Sequence, residues 1–256
     1  MSDGALEYLL GSETRPETLT ALRDAGALPA RRLEERVATS RRTLKRTLRT
    51  MESRGWVRPA ADGYELTALG EAILSAYDRF RDRARTARRF RPFLERTPAS
   101  AFDLDVEVLA DATVVRPDDD PTAPVDRLLE LRAEATEVRE VAPFLLRDTV
   151  EQLVDRVTGD RPPDVTLVLE DATPTPSRFS PAYCDRFRCL LDASSVAVHV
   201  VDDVPFALGV ADRHAFVGST DLEGMPGPLL ESDDAAVVDW AERSVERYLD
   251  RAEPLS

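Results

Sequence analysis

One stretch of the chain, beginning at Ser40, separates into an apolar and a polar face at helical spacing. Leu44, Leu48 and Met51 recur at positions i, i+4 and i+7, which predicts one stripe packed against a core. Arginines and a lysine fall on the opposite side, so the helix presents positive charge to solvent. Ser40 is a good N-cap, and Gly55 stands where helices commonly end in a left-handed residue. The pattern predicts a bounded, basic, amphipathic helix.

The segments that flank this helix, residues 40–54, predict a winged helix-turn-helix. A shorter helical pattern at residues 30–37 precedes it after a break of two residues. Downstream, Asp62-Gly63 is a turn signal between two short predicted strands, at residues 56–58 and 64–66. A basic helix alone is a weak signal, whereas helix, turn, helix and hairpin in this order make DNA binding a specific prediction.

A long helix is predicted next, over residues 67–90. Apolar residues at alternating spacings of three and four form a near-heptad seam, which contains Leu69, Ile73, Tyr77 and Phe80. Seven arginines lie in this stretch or directly after it, at positions 79, 81, 83, 85, 88, 89 and 91. Two interpretations stay open: a connector whose arginines pair with carboxylates, or a dimer helix with some arginines reaching DNA phosphates.

From Ala101 the pattern changes to alternating strands and helices. β-branched apolar runs predict strands at residues 112–115, 137–141, 165–169 and 196–201. Helical patterns lie between them at residues 125–134, 145–157 and 181–191. The end of the chain predicts an antiparallel hairpin at a sheet edge, residues 206–210 and 214–217, and an amphipathic helix, residues 233–250. The overall fold class is therefore α/β, with the winged helix-turn-helix followed by a domain that has a mixed sheet.

The charge is divided unequally along the chain. The formal net charge is −14, which by itself argues against a nucleic-acid partner. Residues 1–98, however, hold 20 Lys+Arg and 14 Asp+Glu, a net of +6, and residues 99–256 hold 14 and 34, a net of −20. We expect two domains with these boundaries: 1–98, the DNA-binding domain with its long helix, and 99–256, an α/β regulatory or dimerisation domain.

The choice of basic residues indicates a salt-rich environment. Lys45 is the single lysine among 34 basic residues, and the acidic surplus is large. Both features are typical of halophilic proteins, although a high genomic GC content also favours arginine over lysine. Because the sequence shows neither a signal peptide nor a run of 18 apolar residues, we expect a cytoplasmic protein without membrane contact.

Several segments resemble a known group of regulators. These are LLGSETRPETLTAL, ATSRRTLKRTLRTMESRGWV, GYELTALGEAI and ADATVVRPDDDPTAPVDRLLEL. They resemble archaeal, especially haloarchaeal, winged-helix transcriptional regulators in which an ArsR-like or TrmB-like DNA-binding domain precedes a middle domain of the methanogenesis-regulator type. The resemblance covers most of the chain and implies a transcription factor with a phospholipase-D-like α/β domain for sensing or dimerisation. The DNA contacts that it implies are Ser40, Arg41, Arg42, Thr43, Lys45, Arg46 and Arg49 in the helix and Arg58 in the wing.

Geometry assigns different roles to these residues. The start of a recognition helix faces the base edges, so Arg41, Arg42 and Thr43 are the expected sequence readers. The later cations of the helix are expected to meet phosphates, and the wing cation the neighbouring backbone or minor groove. The expected partners are double-stranded DNA, a second copy of the chain and a small-molecule effector of unknown identity.

The competing hypotheses are an enzyme and a protein-binding adaptor. Since Lys45 belongs to the predicted recognition helix, the second domain has no lysine for a Schiff base, a P-loop or the His-Lys-Asp motif of active phospholipase-D folds. No two glycines stand two apart, as a dinucleotide fingerprint needs, and no G-x-S-x-G elbow occurs. An adaptor would dilute the basic face, which Glu52 alone interrupts. We therefore expect no enzyme, no cofactor and no metal.

The remaining reactive residues are interpreted as structural. His199 and His214 lack companions at metal-ligand spacing, and a structural histidine is the commoner case. Cys184 and Cys189 lie in one helical segment and are expected to be small, buried or half-buried residues. The acidic runs at residues 118–120 and 202–203 are expected to be solvated surface.

Overall fold

A computed structural model describes residues 4–95, 97–100, 102–118, 120–170, 180–220 and 226–255. The chain divides into two compact units, Met1–Arg85 and Thr86–Ser256. The division falls inside the long helix, whereas the change of charge places the predicted boundary after Pro98, which stays a prediction. No helix in the described ranges combines the length and the apolar character that crossing a membrane requires.

The first unit consists of helices and one hairpin. In chain order these are α1 (Ala5–Leu10), α2 (Thr14–Ala25), α3 (Ala30–Arg36), α4 (Arg41–Ser53), β1 (Val57–Ala60), β2 (Gly63–Leu66) and the start of α5 (Ala68–Arg89). The predicted stripe of Leu44, Leu48 and Met51 is buried, together with Leu33 of α3. Gly55 follows α4 at φ 74°, as a left-handed residue after a helix. The observed order of helix, turn, helix and hairpin is the order that the winged helix-turn-helix prediction requires.

The wing turn differs from the prediction by one position. Cα pairing joins Ala60 to Gly63, so the two turn residues are Ala61 and Asp62 rather than Asp62 and Gly63. Gly63 instead has φ 135°, and a Cβ at this position would lie 2.1 Å from the carbonyl oxygen of Leu28. Glycine is therefore required by a close approach of backbones rather than by the turn itself.

The second unit holds the rest of the chain around an eight-stranded mixed sheet. Its helices after α5 are α6 (Arg91–Leu94), α7 (Ala123–Arg132), α8 (Arg147–Val157), α9 (Pro181–Leu191) and α10 (Ala235–Leu249). Its strands are β3 (Thr113–Val115), β4 (Glu137–Ala142), β5 (Asp164–Glu170), β6 (Val196–Val201), β7 (Ala207–Ala211), β8 (His214–Thr220), β9 (Pro226–Ser232) and β10 (Glu253–Pro254). The strand order is β10-β6-β5-β4-β7-β8-β9-β3, in which β4, β5 and β6 are parallel. The predicted α/β class with a mixed sheet is confirmed.

The sheet separates two apolar cores. Alternation along β4 directs Val138 and Ala142 into the core that also contains residues of α8 and α9, and directs Val141 into the core beneath α10. On α10, Val237, Trp240 and Val245 are buried in this second core, and Val238 and Leu249 pack against it while half-buried.

One topological prediction was wrong. The hairpin of β7 and β8 does not lie at an edge, because β7 pairs with β4 and β8 pairs with β9. The pattern around β9 concealed this strand, since PGPLLES carries two prolines and only two large apolar residues. The hairpin consequently lies inside the sheet and joins its parallel part to its antiparallel part.

Candidate nucleic-acid interface

The first turn of α4 is fixed by a local cap. Ser40 adopts an extended conformation, and its Oγ accepts a hydrogen bond from the backbone N–H of Thr43 at 3.2 Å. The hydroxyl oxygens of the same two residues are 3.0 Å apart. Ser40 and Thr43, two of the predicted contact residues, are therefore held in a defined geometry. They lie at the N-terminus of the helix, where the backbone N–H groups point outward.

Five predicted cations project from α4 into solvent. Within the described ranges none of them has an ion pair; they are Arg41, Arg42, Lys45, Arg46 and Arg49. Thr43 is half-buried. The opposite side of the helix buries the apolar stripe and also Thr47, which the sequence argument did not include. The helix thus separates a packed face from a face of uncompensated positive charge.

Neighbouring arginines are engaged in other contacts. On α3, Arg31 and Arg32 both lie within 3.4 Å of carboxylate oxygens of Glu35. At the end of α4, the Arg54 guanidinium stacks on Tyr8 and Trp56, 4.8 and 5.3 Å from the ring centroids. These contacts fix the surroundings of α4 and leave the charge of its exposed face available.

The wing cation is paired. Arg58 lies opposite Glu65 in the hairpin, and Arg58 Nε donates a hydrogen bond to Glu65 Oε1 at 2.5 Å. The Arg58 side chain nevertheless remains 70% exposed. The structure therefore places all eight predicted contact residues on one unit, with seven at α4 and one in a wing where an acidic residue competes for it.

One basic residue was missed by the sequence argument. Arg36, in the last turn of α3, is exposed and has no ion pair within the part of the chain that the structure describes. Its residue type and its position just before the predicted turn were the available signals. It joins the candidate phosphate contacts.

Two arginines of the long helix pair with carboxylates of the same helix, and a third binds backbone oxygens. Arg81 and Arg85 lie within 3.6 Å of oxygens of Asp78 or Asp82. Arg89 donates to the backbone oxygens of Ala110 and Ala112. These contacts agree with the connector interpretation, whereas Arg79 and Arg88 are exposed without an ion pair in the described ranges.

The reactive residues of the second unit form no metal cluster within the described ranges. His214 Nε2 lies 3.3 Å from Glu231 Oε2, and Arg127 also binds this carboxylate, so the histidine belongs to a local polar cluster. His199 is half-buried in β6, opposite Pro254 of β10.

The cysteines and the acidic runs follow the predictions only in part. Cys184 is buried as expected, but Cys189 is exposed, because it lies on the outer face of α9. In the two acidic runs, the described residues 118, 120, 202 and 203 are exposed as expected, and Asp119 lies outside the described residues.

Comparison with known families finds a match for most of the second unit. Residues 121–251, just over half of the chain, match the family described as methanogenesis regulatory protein FilR1, middle domain. The chain belongs to this family. The FilR1 middle-domain region begins just before α7 and ends just after α10, so that it contains strands β4 to β9 of the sheet.

Other comparisons concern the first unit and the whole chain. Residues 3–89 match the family described as HVO_A0261 N-terminal domain. A solved structure of TrmBL2, described as an archaeal chromatin protein that shows a novel mode of DNA binding, aligns over 100% of each chain at 15% identity and a TM-score of 0.44. A similarity this low supports no conclusion about the present chain. The comparison with curated proteins finds no match.

Proposed function

We propose that the chain is a sequence-specific DNA-binding transcriptional regulator whose helix α4 enters the major groove. The observation that carries this proposal is the row of exposed cations on α4 that lack ion pairs among the described residues. Exposed arginines near carboxylates usually pair, as Arg31 and Arg32 of α3 do. A row of uncompensated cations on a capped helix, with a wing beside it, complements a phosphate backbone. Membership in a family named for a regulatory protein supports the same function.

Within this proposal the contacts divide by position. Arg41, Arg42 and Thr43 occupy the first turn of α4 and read base edges. An arginine that forms two hydrogen bonds with guanine contributes roughly 1 to 3 kcal/mol of discrimination against other bases. Lys45, Arg46 and Arg49, with the added Arg36 and the wing residue Arg58, bind phosphates, which sets affinity and register but not sequence.

The second domain has a separate role in this proposal. Residues 99–256 carry a net charge of −20, so phosphates repel this part of the chain. It senses a small-molecule effector or helps to hold a homodimer, and the exposed apolar side chains Leu69 and Phe80 of α5 supply a dimer contact. A two-fold protein would bind a two-fold operator.

Selection of duplexes from a random library by the full-length chain tests the function. We expect enrichment of one inverted repeat. The variant Arg46→Ala/Arg49→Ala should then lose affinity for that duplex, whereas the control Arg186→Ala/Arg188→Ala, which removes the same charge from α9, should not. If no duplex is enriched at any salt concentration, the DNA-binding proposal is wrong and a protein-binding adaptor takes its place.

A further inference from the structure

A cavity of about 70 Å³ lies in the second unit between α7, the start of α8 and the sheet. Its walls are mainly apolar and include Val125 and Leu128 of α7, Leu146 before α8, and Leu229 of β9. Val125 and Leu146 are only half-buried, so they form its rim. The volume is sufficient for a ligand of a few heavy atoms.

The floor of this cavity contains a buried carboxylate. Glu140 lies in the middle of β4, is 2% exposed, and is the one charged side chain among the described residues that line the cavity. Its Oε2 accepts a hydrogen bond from Arg132 Nη2. No hydrogen bond to Oε1 is present among the described residues, so this oxygen is available to a hydrogen-bond donor of a ligand in the cavity.

The charge of the carboxylate is already balanced. Arg132 is completely buried beside it and stacks on Phe216, with its guanidinium 5.4 Å from the ring centroid. Burial lowers the pKa of Arg132 to about 9, which still leaves the guanidinium charged at neutral pH. A ligand with a net charge would therefore bring an uncompensated charge into the protein interior, whereas a neutral donor would not.

The cavity also lies where α/β sheets commonly bind ligands. The chain passes from Ala142, the last residue of the parallel strand β4, through residues 143–146 into α8, and all of this turn lines the cavity. Ligands of such sheets commonly bind beyond the carboxyl ends of the parallel strands.

We propose that this cavity binds a small, neutral, mainly apolar molecule that donates a hydrogen bond to Glu140, of which a short branched alcohol is the simplest example. The role of such a molecule as the effector rests on the proposed regulatory function; its binding does not. Ser219 Oγ also lines the cavity and provides a second acceptor.

Three isosteric probes test the ligand class on the full-length chain. We would titrate 2-methylpropan-1-ol, 2-methylpropanoate and 2-methylpropylammonium while recording methyl NMR signals of the cavity valine and leucines. The alcohol should produce saturable shifts. Both ions should bind about tenfold more weakly or worse, because each leaves a buried charge unpaired.

Two matched variants locate the binding site. Val125→Phe fills the rim of the cavity and should weaken binding of the alcohol about tenfold or more. Val238→Phe enlarges an equally half-buried valine on α10, on the other face of the sheet, and should leave binding unchanged.

The tests of the ligand site can fail independently of the test of the proposed DNA-binding function. No saturable shift with the alcohol, equal binding of the carboxylate, or unchanged binding in a folded Val125→Phe variant would each overturn the inference. The comparison of the three probes uses the unaltered chain, so it tests the proposed ligand class even if Val125→Phe fails to fold. DNA binding is measured without any probe, and its absence would refute the regulatory function but not the ligand site.

Discussion

Arg58 and Glu65 form a cross-strand ion pair in the wing, with Arg58 Nε 2.5 Å from Glu65 Oε1. The pair is exposed on the arginine side, so its contribution to stability is small. In the proposed complex with DNA we expect a larger effect, because the carboxylate both neutralises the arginine and repels the phosphates that the arginine would bind. Glu65 would then lower the affinity of the wing for DNA.

Glu65→Gln should strengthen DNA binding severalfold at moderate salt. The change keeps the size of the side chain but removes the negative charge, so Arg58 becomes free to bind a phosphate. The dependence of log affinity on log salt concentration should become steeper by about one unit. Fluorescence anisotropy with the selected duplex over a salt series measures both effects. The control Glu17→Gln removes an equal charge from the exposed face of α2 and should change neither; unchanged binding by Glu65→Gln would show that the wing does not approach DNA.

Arg42→Ala and Arg46→Ala should weaken DNA binding in different ways. Arg42 lies one turn closer to the N-terminus of α4, the part of the helix that we propose reaches base edges, whereas Arg46 lies farther along the same exposed face. Arg42→Ala should relax sequence preference, at a cost of roughly 1 to 3 kcal/mol on the specific duplex, and Arg46→Ala should weaken all duplexes alike. Titration of both variants against the selected duplex and a scrambled one distinguishes the two effects. Equal loss of specificity in both would end the assignment of roles.

Local patterns predicted most of the first unit, but they did not predict contacts between distant segments. The stripe of α4 and the caps at Ser40 and Gly55 follow from spacing and residue type alone. The main constraint on Gly63 comes from Leu28, which lies 35 residues earlier in the chain. The local sequence does not show this contact, so Gly63 was interpreted as a turn residue. The backbone groups of Leu28 and Tyr64 exchange two hydrogen bonds of 2.9 Å, and no local pattern indicates this bridge.

Gly63→Ala should destabilise the wing much more than Gly26→Ala destabilises its helix end. Both glycines have positive φ, which costs alanine about 1 to 2 kcal/mol. At Gly26 nothing lies within 4 Å of the added Cβ, whereas at Gly63 the Cβ would overlap the Leu28 carbonyl at 2.1 Å. We expect a loss of roughly 3 kcal/mol or more at position 63, by denaturant unfolding of the full-length chain. Similar losses for both variants would mean that the Leu28 bridge is not maintained in solution.

The second unit shows a different limit of sequence patterns. Glu140 belongs to the run EVREVA, in which a charged residue suggests an exposed position, yet Glu140 is buried against Arg132. Arg132 is the last residue of α7, where an arginine also suggests a surface position. The sequence does not show that these two residues form an ion pair, because the pairing depends on how α7 packs across the sheet. The candidate cavity was for this reason absent from the sequence argument.

Breaking the buried pair from one side should be costly, and removing both charges should restore much of the loss. Arg132→Leu leaves the Glu140 carboxylate buried without its partner and should cost about 3 to 5 kcal/mol of the free energy of unfolding. The double variant Arg132→Leu/Glu140→Leu has no buried charge and should be more stable than the single variant. Urea unfolding of four proteins, the unaltered chain, Arg132→Leu, Glu140→Leu and the double variant, gives the coupling between the two residues. A double variant as unstable as the sum of both single losses would show that the pair is not coupled.

Some apolar side chains of α5 are exposed in the first unit. Substituting them tests whether the chain dimerises through this helix. Of the predicted seam, Ile73 and Tyr77 are half-buried against the core of the first unit, whereas Leu69 is 52% and Phe80 is 43% exposed. The pair Leu69 and Phe80 therefore probes a contact with a second copy better than Tyr77 does. Burying the exposed half of both side chains contributes roughly 1.5 to 3 kcal/mol per protomer, and twice that in a symmetric dimer.

Leu69→Gln/Phe80→Gln should consequently dissociate the dimer. A loss of roughly 3 to 6 kcal/mol raises a dissociation constant by about a hundredfold or more, which converts a micromolar dimer to monomer at working concentrations. Sedimentation in molar salt measures this, since salt screens the repulsion between the arginines of the two helices and leaves apolar burial intact. The control Leu6→Gln/Leu10→Gln alters two leucines of α1 that are 37% and 52% exposed, and it should remain a dimer. If the control dissociates and the α5 variant does not, α1 holds the two copies together and the seam of α5 is only the edge of its own core.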